Sequence, residues 1–235
     1  MNRSVDMIQL SGQVGPEAQS DIDHTLTLMR AMQVADHPRP TLRVYAPRPT
    51  VAFSRRESLM PSFAAAQEAA RINGFAPVIR LAGGRAVAYD ESCLVIDLIT
   101  PSDQGISNER VFTVVSESVQ RVLLDLGVDA RVGEVRHEYC AGPHSVNARG
   151  EVKLVGIAQR VSRGARLVTA SIALGSPHRL RTVVDDVYAA MSLDWDPQTF
   201  GTLASEGLRS SPTELAWAIT HGLTVTHAEW AEPFG

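Results

Sequence analysis

The sequence predicts an α+β fold, a central mainly antiparallel or mixed sheet flanked by helices. Two observations carry this. Short apolar runs follow one another in pairs across Gly, Pro or Asp turns, as hairpin strands do. Between them lie stretches whose apolar residues recur three and four apart, as helices require. Strands grouped into hairpins, with helices interposed, make an α+β domain. Hydrophobic residues are 44% and charged residues 20% of the 235-residue chain, enough to bury a core.

The elements follow in order. Residues 20–34 read as a helix, with Ser20 suited to the N-cap and Ile22, Leu26 and Met29 on one face. His37-Pro38-Arg39-Pro40 breaks it. Two strands, 41–46 and 50–54, join through Pro47 and Pro49. Residues 62–73 form a helix capped by Ser62 and stopped by Gly74. Three short strands follow at 77–82, 85–89 and 93–99, divided by Gly83-Gly84 and Asp90-Glu91-Ser92. A helix at 108–126 buries Val111, Val115, Val122 and Leu126 and stops at Gly127. Residues 137–150 have loop composition. The runs 151–160 and 166–174 read as a hairpin about Ser162-Arg163-Gly164. Ser176-Pro177 opens another helix. Ser211, Pro212 and Glu214 supply an N-cap, a first-turn proline and a capping-box acid for a last helix ending at Gly222. One domain spans 1–235, with 193–235 a short C-terminal extension.

Composition narrows the function. Basic residues number 22 and acidic residues 26, a net charge of −4, which argues against nucleic acid as partner. No apolar run reaches a membrane span, and the N-terminal residues lack an apolar signal core, so the cytoplasm is expected. Two cysteines, Cys93 and Cys140, are too few for a disulfide framework. The sequence shows no metal-binding pattern. Of the basic residues 21 are arginine and one is lysine, Lys153. Arginine does lysine's work on a surface, but not where a compact ammonium is needed. Taken alone, Lys153 is equally a leftover of composition.

Three stretches could carry chemistry. Gly83-Gly84, between Arg80 and Ala86-Val87, lets backbone turn tightly beside a ligand, or simply closes a hairpin. Cys140 lies in a Gly/Pro loop with His137 and His144 nearby, whereas Cys93 sits in an apolar strand and reads as core. Between 131 and 166 seven basic residues face three acids, net +4, which is a field for a thiolate or a solvated hairpin face. In Lys153-Leu154-Val155-Gly156-Ile157-Ala158, strand alternation puts Lys153, Val155 and Ile157 on one face. Leu154, Gly156 and Ala158 then share the other, which leaves room for a bound chain or for close packing.

Together these stretches resemble the biotin/lipoate protein ligase and lipoyl/octanoyl transferase superfamily. Arg80, Gly83, Gly84, Ala86 and Val87 match its glycine stretch, while Arg85 replaces a third glycine and Tyr89 stands where His is common. Tyr139-Cys140-Ala141-Gly142-Pro143-His144, followed by Lys153 and Gly156 through Gln159, is similar to the amidotransferase-type octanoyl transferases, whose cysteine precedes the lysine strand. The resemblance implies the lipoate/biotin ligase-transferase catalytic fold, with a tunnel for a medium acyl chain. It implies Cys140 and Lys153 as the catalytic pair, the cysteine forming a thioester and the lysine lowering its pKa and steadying oxyanion charge. Arg80, Gly83, Gly84, Ala86, Val87, Gly156, Ala158 and Ser54 would bind substrate. His137 or His144 would assist proton transfer. No cofactor is tightly bound in this reading, and the substrate is an octanoyl or lipoyl group. Lipoyl domains or the glycine-cleavage H protein would be partners, with acyl carrier protein a further donor. An ATP-dependent lipoate or biotin ligase is the alternative, and a noncatalytic binder of acylated or lipoyl domains the third.

Overall fold

The computed structural model describes residues 6–8, 14–102 and 106–230, and the side chains of 14–102 and 106–223. Part of the N-terminal stretch in which no signal core was found, and the last five residues of the expected extension, lie outside them.

The described strands are β1 (Asp6–Ile8), β2 (Thr41–Tyr45), β3 (Thr50–Phe53), β4 (Ala76–Ile79), β5 (Val87–Tyr89), β6 (Cys93–Thr100), β7 (Ala130–Val132), β8 (Val146–Ala148), β9 (Val152–Ser162) and β10 (Ala165–Ala173). The helices are α1 (Ala18–Val34), α2 (Phe63–Ile72), α3 (Asn108–Asp125), α4 (His178–Ala190) and α5 (Pro212–Trp230). Among the described residues the main sheet runs β1-β2-β6-β10-β9-β8-β7, and a small sheet runs β4-β3-β5. Every pairing in the main sheet is antiparallel except β1 with β2, and in the small sheet β3 and β4 are parallel. This is the mixed, mainly antiparallel α+β arrangement that the strand pattern predicts.

The centre of the main sheet is buried on both faces. All eight residues of β6 are buried, because α3 and α5 cover one face while α1, the small sheet and α4 cover the other. Burial on both sides explains why CLVIDLI reads as an unbroken apolar run. Asp97 is its single charged residue, and it meets the guanidinium of Arg43, its pairing partner on β2, at 3.8 Å.

Two expectations need correction. Helix α5 does not stop at Gly222. A Cβ there would lie 2.7 Å from Val122 Cγ2, so the glycine marks a close approach of α5 to α3 within a continuing helix. The described part of the 193–235 stretch packs on the fold, with Trp195 and Phe200 in one main core and Leu203, Leu215, Ala216 and Ile219 in the other. Ser20 is not the cap of α1, which begins two residues earlier behind Glu17. The capping box of α5 forms as expected, with the Ser211 N–H donating to Glu214 Oε2 at 2.9 Å and the Glu214 N–H to Ser211 Oγ at 3.2 Å.

A third correction matters for the site. Lys153 does not share a face with Val155. Val146 pairs with Val155 and Asn147 with Lys153, so Leu154 is an extra residue, a bulge. One extra residue reverses the alternation on either side of it. Lys153 therefore joins the small-residue face: a Cβ on Gly156 would sit 3.5 Å from Lys153 Cε.

Candidate functional site

A cavity of about 510 Å³ lies against the second face of the main sheet. Its lining includes Arg80, Gly83, Gly84 and Val87 from the glycine loop and β5, Cys140 and His144 from the β7–β8 loop, and Lys153, Gly156 and Ala158 from β9. The fold thus brings together nine of the twelve expected site residues, drawn from three stretches far apart in sequence. The other three are Ala86, Ser54 and His137.

Cys140 is half-buried and its backbone has φ +46°, the left-handed region that non-glycine residues seldom adopt. Three contacts hold it there. The Cys140 N–H donates to Tyr188 Oη at 3.0 Å, and that hydroxyl donates to the Ala86 carbonyl at 3.1 Å. The Cys140 carbonyl accepts from Lys153 Nζ at 2.8 Å. The sulfur accepts from the Arg85 N–H at 3.2 Å. The other cysteine is different in kind: burial in β6 pushes the Cys93 thiol up to about 12.

Lys153 is 2% exposed and its ammonium meets three acceptors: Glu138 Oε1 at 2.9 Å, the Tyr139 carbonyl at 3.1 Å and the Cys140 carbonyl at 2.8 Å. Three protons and three acceptors match, and the same site would not admit a planar guanidinium. Nζ also stands 4.8 Å over the Tyr139 ring, itself stacked on Phe200 and edge-on to Trp195. Lys153 therefore reaches Cys140 through its carbonyl and not through its sulfur.

Glu138 is the partner that sequence reasoning missed. Its carboxylate is fully buried, and it also accepts from Ser145 Oγ at 2.7 Å and the Val135 N–H at 2.9 Å, so one side chain ties both ends of the cysteine loop. Glu57 does the same for the glycine loop. It accepts from the Ala86 N–H at 2.7 Å and from the Ser54 N–H at 2.8 Å and hydroxyl at 2.9 Å. The spacing Ser54-x-x-Glu57 is a capping box, a signal present in the sequence. Tyr188 had only its place on the buried side of α4.

Ser54 lies outside the main cavity. It is buried against Glu57 and borders a second cavity, with Arg55, Arg56, Arg85 and Arg160, on the far side of the glycine loop. Ala86 touches the site through its backbone alone. His144 lines the main cavity, stacked 5.0 Å from Phe112, whereas His137 is exposed, outside that lining, and accepts from Arg136 Nε. Gly84 allows the closest approach: with φ +95°, a Cβ there would fall 2.7 Å from Arg80 Nη2 and 2.9 Å from Cys140 Sγ. Gly83 has open space around it.

Residues 18–192 match the family model of the lipoyl protein ligase A/B catalytic domain. The chain is similar to an octanoyl-[GcvH]:protein N-octanoyltransferase of Exiguobacterium, at 26% identity over 80% of this chain and 67% of that protein. Two further octanoyltransferase alignments span 55% and 79% of those proteins. A lipoyl-[GcvH]:protein N-lipoyltransferase of Listeria monocytogenes is 27% identical over 51% of this chain, under half of its own length. The bipartite lipoate protein ligase of Thermoplasma acidophilum has the same fold, with a TM-score of 0.74 at 22% identity, covering 97% of this chain and 85% of that one.

Proposed function

Because the chain belongs to the lipoyl protein ligase A/B catalytic domain family, we propose that it is a cysteine-dependent acyltransferase. It moves an octanoyl or lipoyl group from the glycine-cleavage H protein to the lysine of a lipoyl domain through a thioester on Cys140. The names of the relatives, octanoyl and lipoyl transferases that act from GcvH, support this donor. The observation that carries the reading is Cys140 itself, held in a strained backbone state at the cavity wall with an N–H directed at its sulfur.

In the first step the Cys140 thiolate attacks the carbonyl carbon of the donor's acyl-lysine amide. The C–N bond breaks, the departing amine takes a proton, and the acyl group remains on sulfur as a thioester. The free amine of the acceptor lysine then attacks that thioester. The C–S bond breaks, the amine loses a proton as the new amide forms, and the thiolate returns. Splitting one amide exchange into two acyl transfers is the gain of covalent catalysis. The Arg85 N–H steadies thiolate charge. His144 is the histidine of the pair that lines the cavity and can carry the proton. Lys153 positions the loop by binding Glu138 and the carbonyls of residues 139 and 140. The acyl chain lies over Gly156 and Ala158, where small side chains leave room. No tightly bound cofactor enters, and the cytoplasm is the proposed place. Acyl carrier protein is a further donor within this reading.

Incubation with octanoyl H protein without ATP tests it by intact mass. One octanoyl adduct is expected, mapping to Cys140 and passing to added lipoyl domain. Transfer only from free acid plus ATP would assign the chain to the ligases.

A further inference from the structure

The second cavity has no part in the transfer steps, and it is basic. It measures about 500 Å³, and its lining includes Arg55, Arg56, Arg85 and Arg160, all exposed. Its one acid, Glu57, is 4% exposed and already accepts from the Ser54 hydroxyl and from the N–H groups of Ser54 and Ala86. Among the described residues none of the four guanidiniums has an ion-pair partner. Arg160 reaches the Leu81 carbonyl at a long 3.4 Å. Elsewhere arginines are paired: Arg43 with Asp21, Arg131 with Asp129, Arg149 with Glu151, Arg179 with Asp90. Four unpaired guanidiniums on a chain of net charge −4 make a local field of the opposite sign. Their mutual repulsion would be relieved by carboxylates from outside.

Apolar side chains complete the surface. Met60 and Leu193 line the same cavity, and Leu59, next to Met60 in the chain, is 75% exposed. Arginine and methionine are enriched where proteins meet, and lysine is depleted there.

Position points to the partner. Leu81, Ala82, Gly83 and Gly84 line both cavities, so the glycine loop is a shared wall. The Arg85 N–H reaches the Cys140 sulfur at 3.2 Å, yet Arg85 belongs to the lining of the second cavity and not of the first. A protein whose lysine enters over Gly83 and Gly84, both exposed, lays the surface beside that lysine on the arginines.

Resting on the acyl-transfer reading above, we propose that the second cavity docks the protein that presents the lysine, through a carboxylate-rich surface next to that lysine. Donor and acceptor both bring a lysine to Cys140, so the two use this one surface in turn.

The test measures binding and transfer with the whole chain, H protein and a lipoyl domain. Calorimetry compares the unmodified protein with Arg55→Glu/Arg56→Glu, with Arg160→Glu and with Arg30→Glu, which makes the same charge change on α1 outside both cavities. The double reversal should weaken binding of either domain about tenfold and raise KM for each by a similar factor, with kcat held. Arg160→Glu should cost about threefold, and Arg30→Glu nothing. The losses should shrink in about 0.5 M salt. Lipoyl domain without an acyl group should compete with octanoyl H protein. Acylation of Cys140 by p-nitrophenyl octanoate, which has no protein surface to dock, should be the same in every variant. Unchanged Kd and KM after the double reversal, an equal loss in Arg30→Glu, or tighter binding of a DNA oligonucleotide than of either domain would overturn the docking surface. Domain binding that follows the arginines while Cys140 takes no acyl group from any donor would sink the transferase reading and leave the surface standing.

Discussion

The Arg85 N–H donates to Cys140 Sγ at 3.2 Å, joining two residues 55 positions apart in the chain. The contact depends on Gly84. Its φ of +95° and missing side chain bring the glycine loop within reach of the sulfur, in space that a Cβ would fill. A methyl at Gly84 should therefore remove most activity, and the strained backbone should lower stability by about 1–2 kcal/mol. Gly83→Ala meets open space and should behave almost as the unmodified protein. Steady-state transfer and urea unfolding of the two variants make the comparison; equal loss in both would refute the close-approach argument.

Lys153→Met should be a folding variant as much as an activity variant. It leaves the Glu138 carboxylate buried without its cation, a change that typically costs about 3–5 kcal/mol. Adding Glu138→Gln to it should restore part of that stability but not transfer, since the Cys140 carbonyl still lacks its donor. Lys153→Arg should also lose transfer, because five donors on a rigid plane do not fit three acceptors around one atom. Denaturant unfolding of the single and double variants measures the coupling.

Tyr188→Phe removes the hydroxyl between the Cys140 N–H and the Ala86 carbonyl. A buried amide left unpaired costs about 1–3 kcal/mol. The expected signature is a fall in kcat larger than any rise in KM, because loop placement changes and the acyl cavity does not.

Alkylation should separate the cysteines. Near pH 8 iodoacetamide should label Cys140, while Cys93, pushed up to about 12 by burial, stays unmodified in the folded protein. Peptide mass mapping reads this directly. The same shift carries a stability consequence. The folded thiol holds its proton where the unfolded one, near 9.0, has lost it. Stability should be unaffected below about pH 9 and fall as pH rises toward about 12. Cys93→Ala should remove that slope.

Much of the site was legible in the residues. The lone lysine among 21 arginines, a cysteine in a Gly/Pro loop and paired glycines between strands are local signals, and the cavity collects all three. Their partners were less legible. Glu138 reads as one of three acids in a basic island, and nothing in the sequence singles out Tyr188; neither carries a mark of its role. Ser54, expected to bind substrate, also has a structural task. It holds Glu57, and Glu57 holds the glycine loop.

By itself the sequence determined the periodic elements, the mixed α+β sheet, the difference between an apolar-strand cysteine and a loop cysteine, and the resemblance that names the family. These follow from local spacing and composition, which act within a few residues. Tertiary structure decided where side chains point. The bulge at Leu154 turned Lys153 onto the face of Gly156, and a bulge arises from pairing with β8, which no single strand's pattern contains. Likewise Gly222, which reads as a helix stop, proved to be the place where α5 meets Val122 of α3. A glycine's meaning depends on what approaches it, and that is settled only when distant segments pack.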